Sequence, residues 1–309
     1  MNPLLGIGLV LVSTLAFTFM NAIVRYLGQN IPVGEVVFAR SFFALIPLLL
    51  WMAWRGQLAS GLRTSNPWAH VFRSGVGAFA MFLNFAALAL LPLADATAIG
   101  FTTPLFTVVL AALFLGEVVR VRRWAAVVVG LLGVLVMLWP HIGAQPRGDS
   151  SMLGAILALM GALTVSVAMT QVRHLSRTET TSSLVFYFAL VGALVGLATL
   201  PWGWVVPTRW ELALMVSGGF IGGVAQILIT ESYRHADASV VAPFSYSSMI
   251  YAVAIGYVWF GEVPQAIVLA GAAIVIAAGL FVIWRERRLG LDRTEERRAE
   301  GPPAGGPTA

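Results

Sequence analysis

The feature that most constrains this chain is a succession of ten long apolar runs, separated by short stretches that hold most of its charge. The runs cover 4–27, 34–54, 69–91, 94–115, 122–139, 152–173, 183–201, 210–232, 238–260 and 265–284. A helix that crosses a bilayer needs about 20 mainly apolar residues, and each run meets or approaches that length. The chain is 59% hydrophobic and 11% charged, against about 25% charged in an ordinary globular domain. The implied fold class is an all-α polytopic membrane protein with ten transmembrane helices. A soluble α/β fold is excluded. So is an outer-membrane barrel, whose strands alternate apolar and polar residues over about ten positions.

Two missing residue types narrow the chemistry. All 19 basic residues are Arg, and there is no Cys. Without Lys there is no phosphate-binding Gly-Lys-Ser/Thr loop and no lysine Schiff base. Without Cys there is no disulfide, thiolate nucleophile or thiolate metal site. His70, His141, His174 and His235 fall in connections or at span ends, with no His-Glu-x-x-His and no Gly-x-Ser-x-Gly elbow. Enzyme activity, a metal site and a cofactor are therefore not expected. The sequence pI near 10.2 reflects Arg placement around membrane spans rather than nucleic-acid binding. No small-residue cleavage pattern follows the first run, which reads as a retained helix.

Arg placement sets an orientation. With the N-terminus cytoplasmic, fifteen Arg fall in inside segments, and only Arg25, Arg147 and Arg209 fall outside, with Arg40 inside a span. This positive-inside bias puts both termini in the cytoplasm. Trp51, Trp54, Trp68, Trp124 and Trp284 then lie at inner span ends, and Trp139, Trp202, Trp204, Trp210 and Trp259 at outer ends. Indole favours the headgroup level, so two aromatic belts emerge independently of the charge count.

The two halves of the chain resemble each other. Leu5-Gly6 matches Leu153-Gly154 and Val24-Arg25 matches Val172-Arg173, at one offset. Trp68 matches Trp210, Gly77 matches Gly219, Asn84 is answered by Gln226, and Ala94-Asp95-Ala96 matches Ala236-Asp237-Ala238, at another. Gly116-Glu117-Val118 then matches Gly261-Glu262-Val263. Five spans per half give the second half the opposite polarity, an inverted-topology repeat of the kind that supplies transporters with two related conformations. The domains read as a first repeat over 1–146, a second over 147–285, and a disordered cytoplasmic tail over 286–309, rich in Gly, Pro and charge.

Pro92-Leu-Ala-Asp-Ala-Thr-Ala98 opens the fourth span and Phe114-Leu-Gly-Glu-Val118 follows it. The counterparts are His235-Ala-Asp-Ala-Ser239 and Trp259-Phe-Gly-Glu-Val-Pro264. In these motifs, and in its ten spans, the chain resembles the EamA family of the drug/metabolite transporter superfamily over 4–285. The resemblance implies secondary transport of small organic metabolites across a bacterial inner membrane, commonly export, with uptake of compounds such as riboflavin or S-adenosylmethionine as the alternative. A passive channel or membrane assembly protein is the competing class. The partners implied are the lipid bilayer, a small-molecule substrate, and a coupling proton or counter-solute; no oligomeric state follows.

Polar residues inside the spans are the candidate substrate contacts, each beside a structural alternative. Arg40 lies about 9 Å inside the second span, and either snorkels or pairs with Glu35, or lines a cavity that favours anionic or zwitterionic solutes. Asn84 and Gln226 are repeat-equivalent carboxamides that serve as interhelical glue or as substrate contacts. The fourth span holds Thr102-Thr103-Pro104 and the ninth Pro243-Phe-Ser-Tyr-Ser-Ser248 with Tyr251. Prolines break helices where they line cavities, so Thr103, Ser245, Tyr246 and Tyr251 are candidates, against the reading of kinked helices whose hydroxyls rebond to their own backbone. Asp95 and Asp237 are expected as N-caps, and Glu117 and Glu262 as groups favouring the next helix's N-terminus. Glu231 is expected to pair with Arg234. Gly218, Gly219, Gly222 and Gly223 read as a close helix-packing surface.

Overall fold

The computed structural model describes residues 2–64, 66–114, 121–141, 148–175 and 178–299, and these form helices and connections with no strand among them. The ten expected spans appear as α1 Pro3–Leu27, α2 Val33–Trp54, α3 Pro67–Leu90, α4 in two pieces (α4a Leu93–Gly100 and α4b Thr103–Phe114), α5 Val121–Leu138, α6 Gly148–Leu175, α7 Thr181–Leu197, α8 Arg209–His235, α9 in pieces, and α10 Ala266–Ala299. Eight of these stretches are long and apolar enough to cross a membrane, and α7 is a shorter apolar helix. The ninth comprises α9a Ala238–Val241, a 3₁₀ turn Ala242–Tyr246 and α9b Ser247–Phe260. A short helix, Leu58–Leu62, lies in the connection before α3.

The helix starts carry the expected chemistry. Asn2 and Asn66 cap α1 and α3 by accepting from the Leu5 and Ala69 amides, each with Pro in the first turn. Thr180 caps α7. Thr208 and Glu211 form a reciprocal capping box at α8. The breaks in α4 and α9 fall at Pro104 and Pro243, each of which lacks the amide that would continue the preceding turn.

Apolar helices without polar handles associate through close packing. The most extensive pairings are α1 with α8, α3 with α6, α5 with α10, α2 with α8, α2 with α7, and α3 with α7. Glycine makes α8 fit. A Cβ on Gly219 would stand 2.8 Å from the Ala39 carbonyl, and one on Gly223 would stand 2.8 Å from the Ala44 carbonyl, so both contacts with α2 are backbone to backbone. Gly218 and Gly222 take up Ile23 and Met20 of α1 in the same way.

Several polar expectations are revised. Pro92, not Asp95, occupies the N-cap of α4a; Asp95 is in its first turn, 3.4 Å from His141 Nε2. Asp237 stands at the N-cap position of α9a. Glu262 accepts from the Leu93 amide at 3.0 Å, so it caps α4a rather than the helix that follows it. Its turn reverses at Gly261 (φ 64) and carries the side chain back across α4a. Glu231 pairs with Arg234 as expected and, more closely, with Arg55 at 2.7 Å. Glu117 lies outside the described residues. The tenth helix runs on to Ala299, into the segment expected as tail; its Leu, Glu and Arg are strong helix formers. Residues 300–309 lie outside the description.

Candidate functional site

A central cavity of about 590 Å³ lies within the bundle, walled by both halves of the chain. This volume suits a small organic ligand, for which sites run from about 300 to 1,000 Å³. The first half contributes Thr18 and Asn21 of α1, Arg40 of α2, Gly77, Met81, Asn84 and Phe85 of α3, and Thr97 and Phe101 at the α4 break. The second contributes Ala158 and Val165 of α6, Phe188 of α7, Gln226 of α8, and Ser245 and Ser248 of α9. The fourth and ninth spans thus take part, but α1 and α3 form more of the wall.

Of the residues expected to contact substrate, Arg40, Asn84, Gln226 and Ser245 are brought together on this wall. Thr103, Tyr246 and Tyr251 are not among its lining residues. Thr103 Oγ1 donates to the Gly100 carbonyl at 2.8 Å, the rebonding expected of a hydroxyl beside a helix break. Tyr246 stands edge-on to Phe101 at 5.0 Å, and its buried hydroxyl, which has no hydrogen-bond partner, is pressed against Gly279 of α10. Tyr251 follows one turn into α9b.

Arg40 is 8% exposed. It does not pair with Glu35, which instead accepts from the Val205 amide at 3.2 Å. Five residues of helix turn about 140°, so the two side chains leave α2 on different faces. The Arg40 guanidinium lies over the Phe188 ring, 5.4 Å from its centroid, and its Nε is buried with no hydrogen-bond partner among the described residues. Asn84 donates to the Ala80 carbonyl of its own helix at 2.8 Å, and Gly161 of α6 approaches it closely. Among the described residues its amide makes no interhelical hydrogen bond. Among the described residues Gln226 makes no side-chain hydrogen bond.

Both ends of the bundle carry polar ties. At the end holding Leu27 and Leu90, Arg25 pairs with Glu262 and donates to the Leu88 carbonyl at 3.2 Å, while Glu262 holds the Leu93 amide. Leu88 also lines the cavity, so this junction joins α1, α3, α4a and the end of α9b immediately beside it. At the end holding Trp54, Arg55 pairs with Glu231, and buried His70 lies 3.3 Å from Glu179.

Sequence reasoning missed the Arg25–Glu262 junction, because it depends on a side chain reaching across 237 positions. It also missed Phe188, one aromatic among many apolar residues. Arg73 was counted with the inside segments, yet α3 begins at Pro67 and the Arg73 guanidinium lies 4.9 Å from the Phe188 centroid. The helical-depth arithmetic applied to Arg40 would have flagged it.

The EamA-like transporter family matches residues 4–139 and 152–284, which is nearly every described residue before the tail. The chain belongs to this family. Among relatives, it is 33% identical to the S-adenosylmethionine uptake transporter of Rickettsia conorii over 92% of this chain and 94% of that one. It is 31% identical to the pseudopaline exporter CntI of Pseudomonas aeruginosa, over 88% and 94%. It is 31% identical to the riboflavin transporter of Rhizobium johnstonii, over 89% of each. A solved crystal structure with 20% identity covers 92% of this chain with a TM-score of 0.63, which places the fold. This EamA-like chain is a multi-pass membrane transporter of the drug/metabolite class, and not an enzyme.

Proposed function

We propose that the chain is a secondary carrier that moves a small organic metabolite through the central cavity by alternating access, in a bacterial inner membrane, with both termini cytoplasmic. The observation that carries this reading is the cavity itself: a ligand-sized space whose wall is shared by both halves and whose polar side chains include groups without protein partners. The helix packing supports an inverted repeat. Replacing each helix by its counterpart five places along turns the pair α1–α8 into α6–α3, and α2–α8 into α7–α3, while α5–α10 and α2–α7 map onto themselves. In this reading the Leu27 end faces outward and the Arg25–Glu262 junction is the closed outer gate. The Trp54 end faces the cytoplasm.

No nucleotide motif is present, so concentration of a solute draws on an ion or counter-solute gradient. The relatives include an uptake carrier and an exporter, which fits a reversible mechanism whose net direction follows the gradient. The test is reconstitution into proteoliposomes loaded with a metabolite extract, with labelled solutes screened for exchange. Exchange or accumulation that collapses on dissipating the gradient supports the carrier reading. Flux that follows only the solute's own gradient, without counterflow, identifies a channel.

A further inference from the structure

Resting on that carrier reading, we propose that the cavity selects a small organic carboxylate with an apolar body, and that Arg40 is the residue that holds its carboxylate.

A guanidinium in a membrane protein interior is normally matched by a carboxylate, because a lone charge removed from water costs several kcal/mol. Arg40 is more than nine-tenths buried, lines the cavity, and forms no ion pair with any described acidic residue. The match is not supplied elsewhere on the wall, which among the described residues contains no acidic side chain. Elsewhere in the bundle Arg25 has Glu262 and Arg55 has Glu231, while Arg73, beside the same Phe188 ring, shares with Arg40 the lack of a carboxylate among the described residues. Arg40 is left with the face of Phe188, which attracts a cation weakly but cannot neutralise it. A ligand anion completes the set. Guanidinium presents a planar fork of donors that fits the two oxygens of a carboxylate.

The surroundings define the rest of the ligand. Phe85, Phe101, Phe188, Met20 and Met81 give the wall an apolar body, and Asn84 and Gln226 supply neutral donors and acceptors. One guanidinium with neutral amides suits a monoanion better than a phosphate dianion, which several cations usually hold. Arg73 stands over the same Phe188 ring from the N-terminal part of α3, and it donates to the Leu184 carbonyl. With guanidiniums 5.4 and 4.9 Å from the Phe188 centroid, an anion meets favourable potential both at the cavity wall and beside it.

The chain has no cysteine, so a single introduced thiol reads the cavity potential without background. Gln226→Cys is placed on α8, one turn from Gly222, where an added Cβ would stand 3.6 Å from Arg40 Nε, in nanodiscs, with Arg40 intact or with Arg40→Gln. It is reacted with anionic sulfonatoethyl and cationic trimethylammonioethyl methanethiosulfonates, with rates normalised to a free thiol. The proposal expects the anionic reagent to be favoured by about tenfold with Arg40 present, the effect of a nearby unit charge in a partly screened site, and the preference to vanish in Arg40→Gln. A cationic preference, or one unchanged by Arg40→Gln, overturns the proposal and leaves the carrier reading standing. If neither reagent reaches the thiol, the cavity is closed to solutes and the carrier reading falls as well.

A second measurement uses the native residues. Thermal unfolding is followed with 3-phenylpropionate and with 3-phenylpropanamide, which differ only at the carboxylate. The acid is expected to raise the transition temperature more than the amide in the unmodified chain, and to lose that advantage in Arg40→Gln. Equal shifts from the two compounds, zero included, overturn the proposal.

Discussion

Tyr246 illustrates how a single side chain divides between sequence and structure. Its depth in the ninth span and its phenol marked it as a substrate contact, yet its hydroxyl is buried against Gly279 and meets no hydrogen-bond partner. A buried hydroxyl left unsatisfied costs about 1–3 kcal/mol. Tyr246→Phe is therefore expected to leave exchange kinetics unchanged and to raise thermal stability; a several-fold loss of apparent affinity would return the phenol to the transport path. Gln226 is the opposite case, a carboxamide on the cavity wall without a side-chain partner. Gln226→Leu is expected to weaken apparent affinity by two- to tenfold, as loss of one hydrogen bond of about 0.5–1.5 kcal/mol implies, with normal expression. Unaltered kinetics would remove Gln226 from the site. Arg40 was legible because charge within an apolar run is rare enough to demand an account. Which hydroxyl of the ninth span turns inward was not, because Ser245 and Tyr246 are adjacent and only the 3₁₀ turn Ala242–Tyr246 decides which one faces the cavity.

At the scale of the element, helix positions were legible and helix ends were not entirely so. Length and hydropathy sufficed for ten helical stretches, eight of them long and apolar enough to cross a membrane, and Pro104 and Pro243 announced the two broken ones. The polar junctions were hidden, since they join residues distant in sequence. Glu262 both pairs with Arg25 and caps α4a. Glu262→Ala is expected to destabilise the protein by about 2–4 kcal/mol, the sum of a lost cap and a lost ion pair with Arg25. Adding Arg25→Met should restore part of that loss, and a double variant no more stable than Glu262→Ala would deny the coupling. The Gly219 contact gives a simpler test. Its neighbours are the Ala39 carbonyl and the Phe43 Cβ, neither of which can swing away, so Gly219→Ala should cost about 1–3 kcal/mol. Gly75→Ala, which meets open space inside α3, serves as the control and should not lower the unfolding temperature, since Ala favours the helix over Gly.

For the whole molecule, family membership makes the chain a metabolite transporter; in the mechanism proposed for it, the central cavity is reached from one side at a time and the Arg25–Glu262 junction is the outer gate. The matched dipeptides were legible in the sequence, and the helix pairing was not, because packing partners leave no linear trace. The measurement that tests the account most directly locks that gate. Arg25→Cys and Glu262→Cys are introduced into the cysteine-free chain, bridged with a short bis-maleimide after reconstitution, and solute exchange is compared before and after bridging. The account predicts that each single variant treated with the reagent still exchanges solute and that the bridged double variant does not, while it still binds ligand added from the cytoplasmic side. Full exchange with the bridge in place would contradict it, for the solute would then be crossing without opening this end of the bundle.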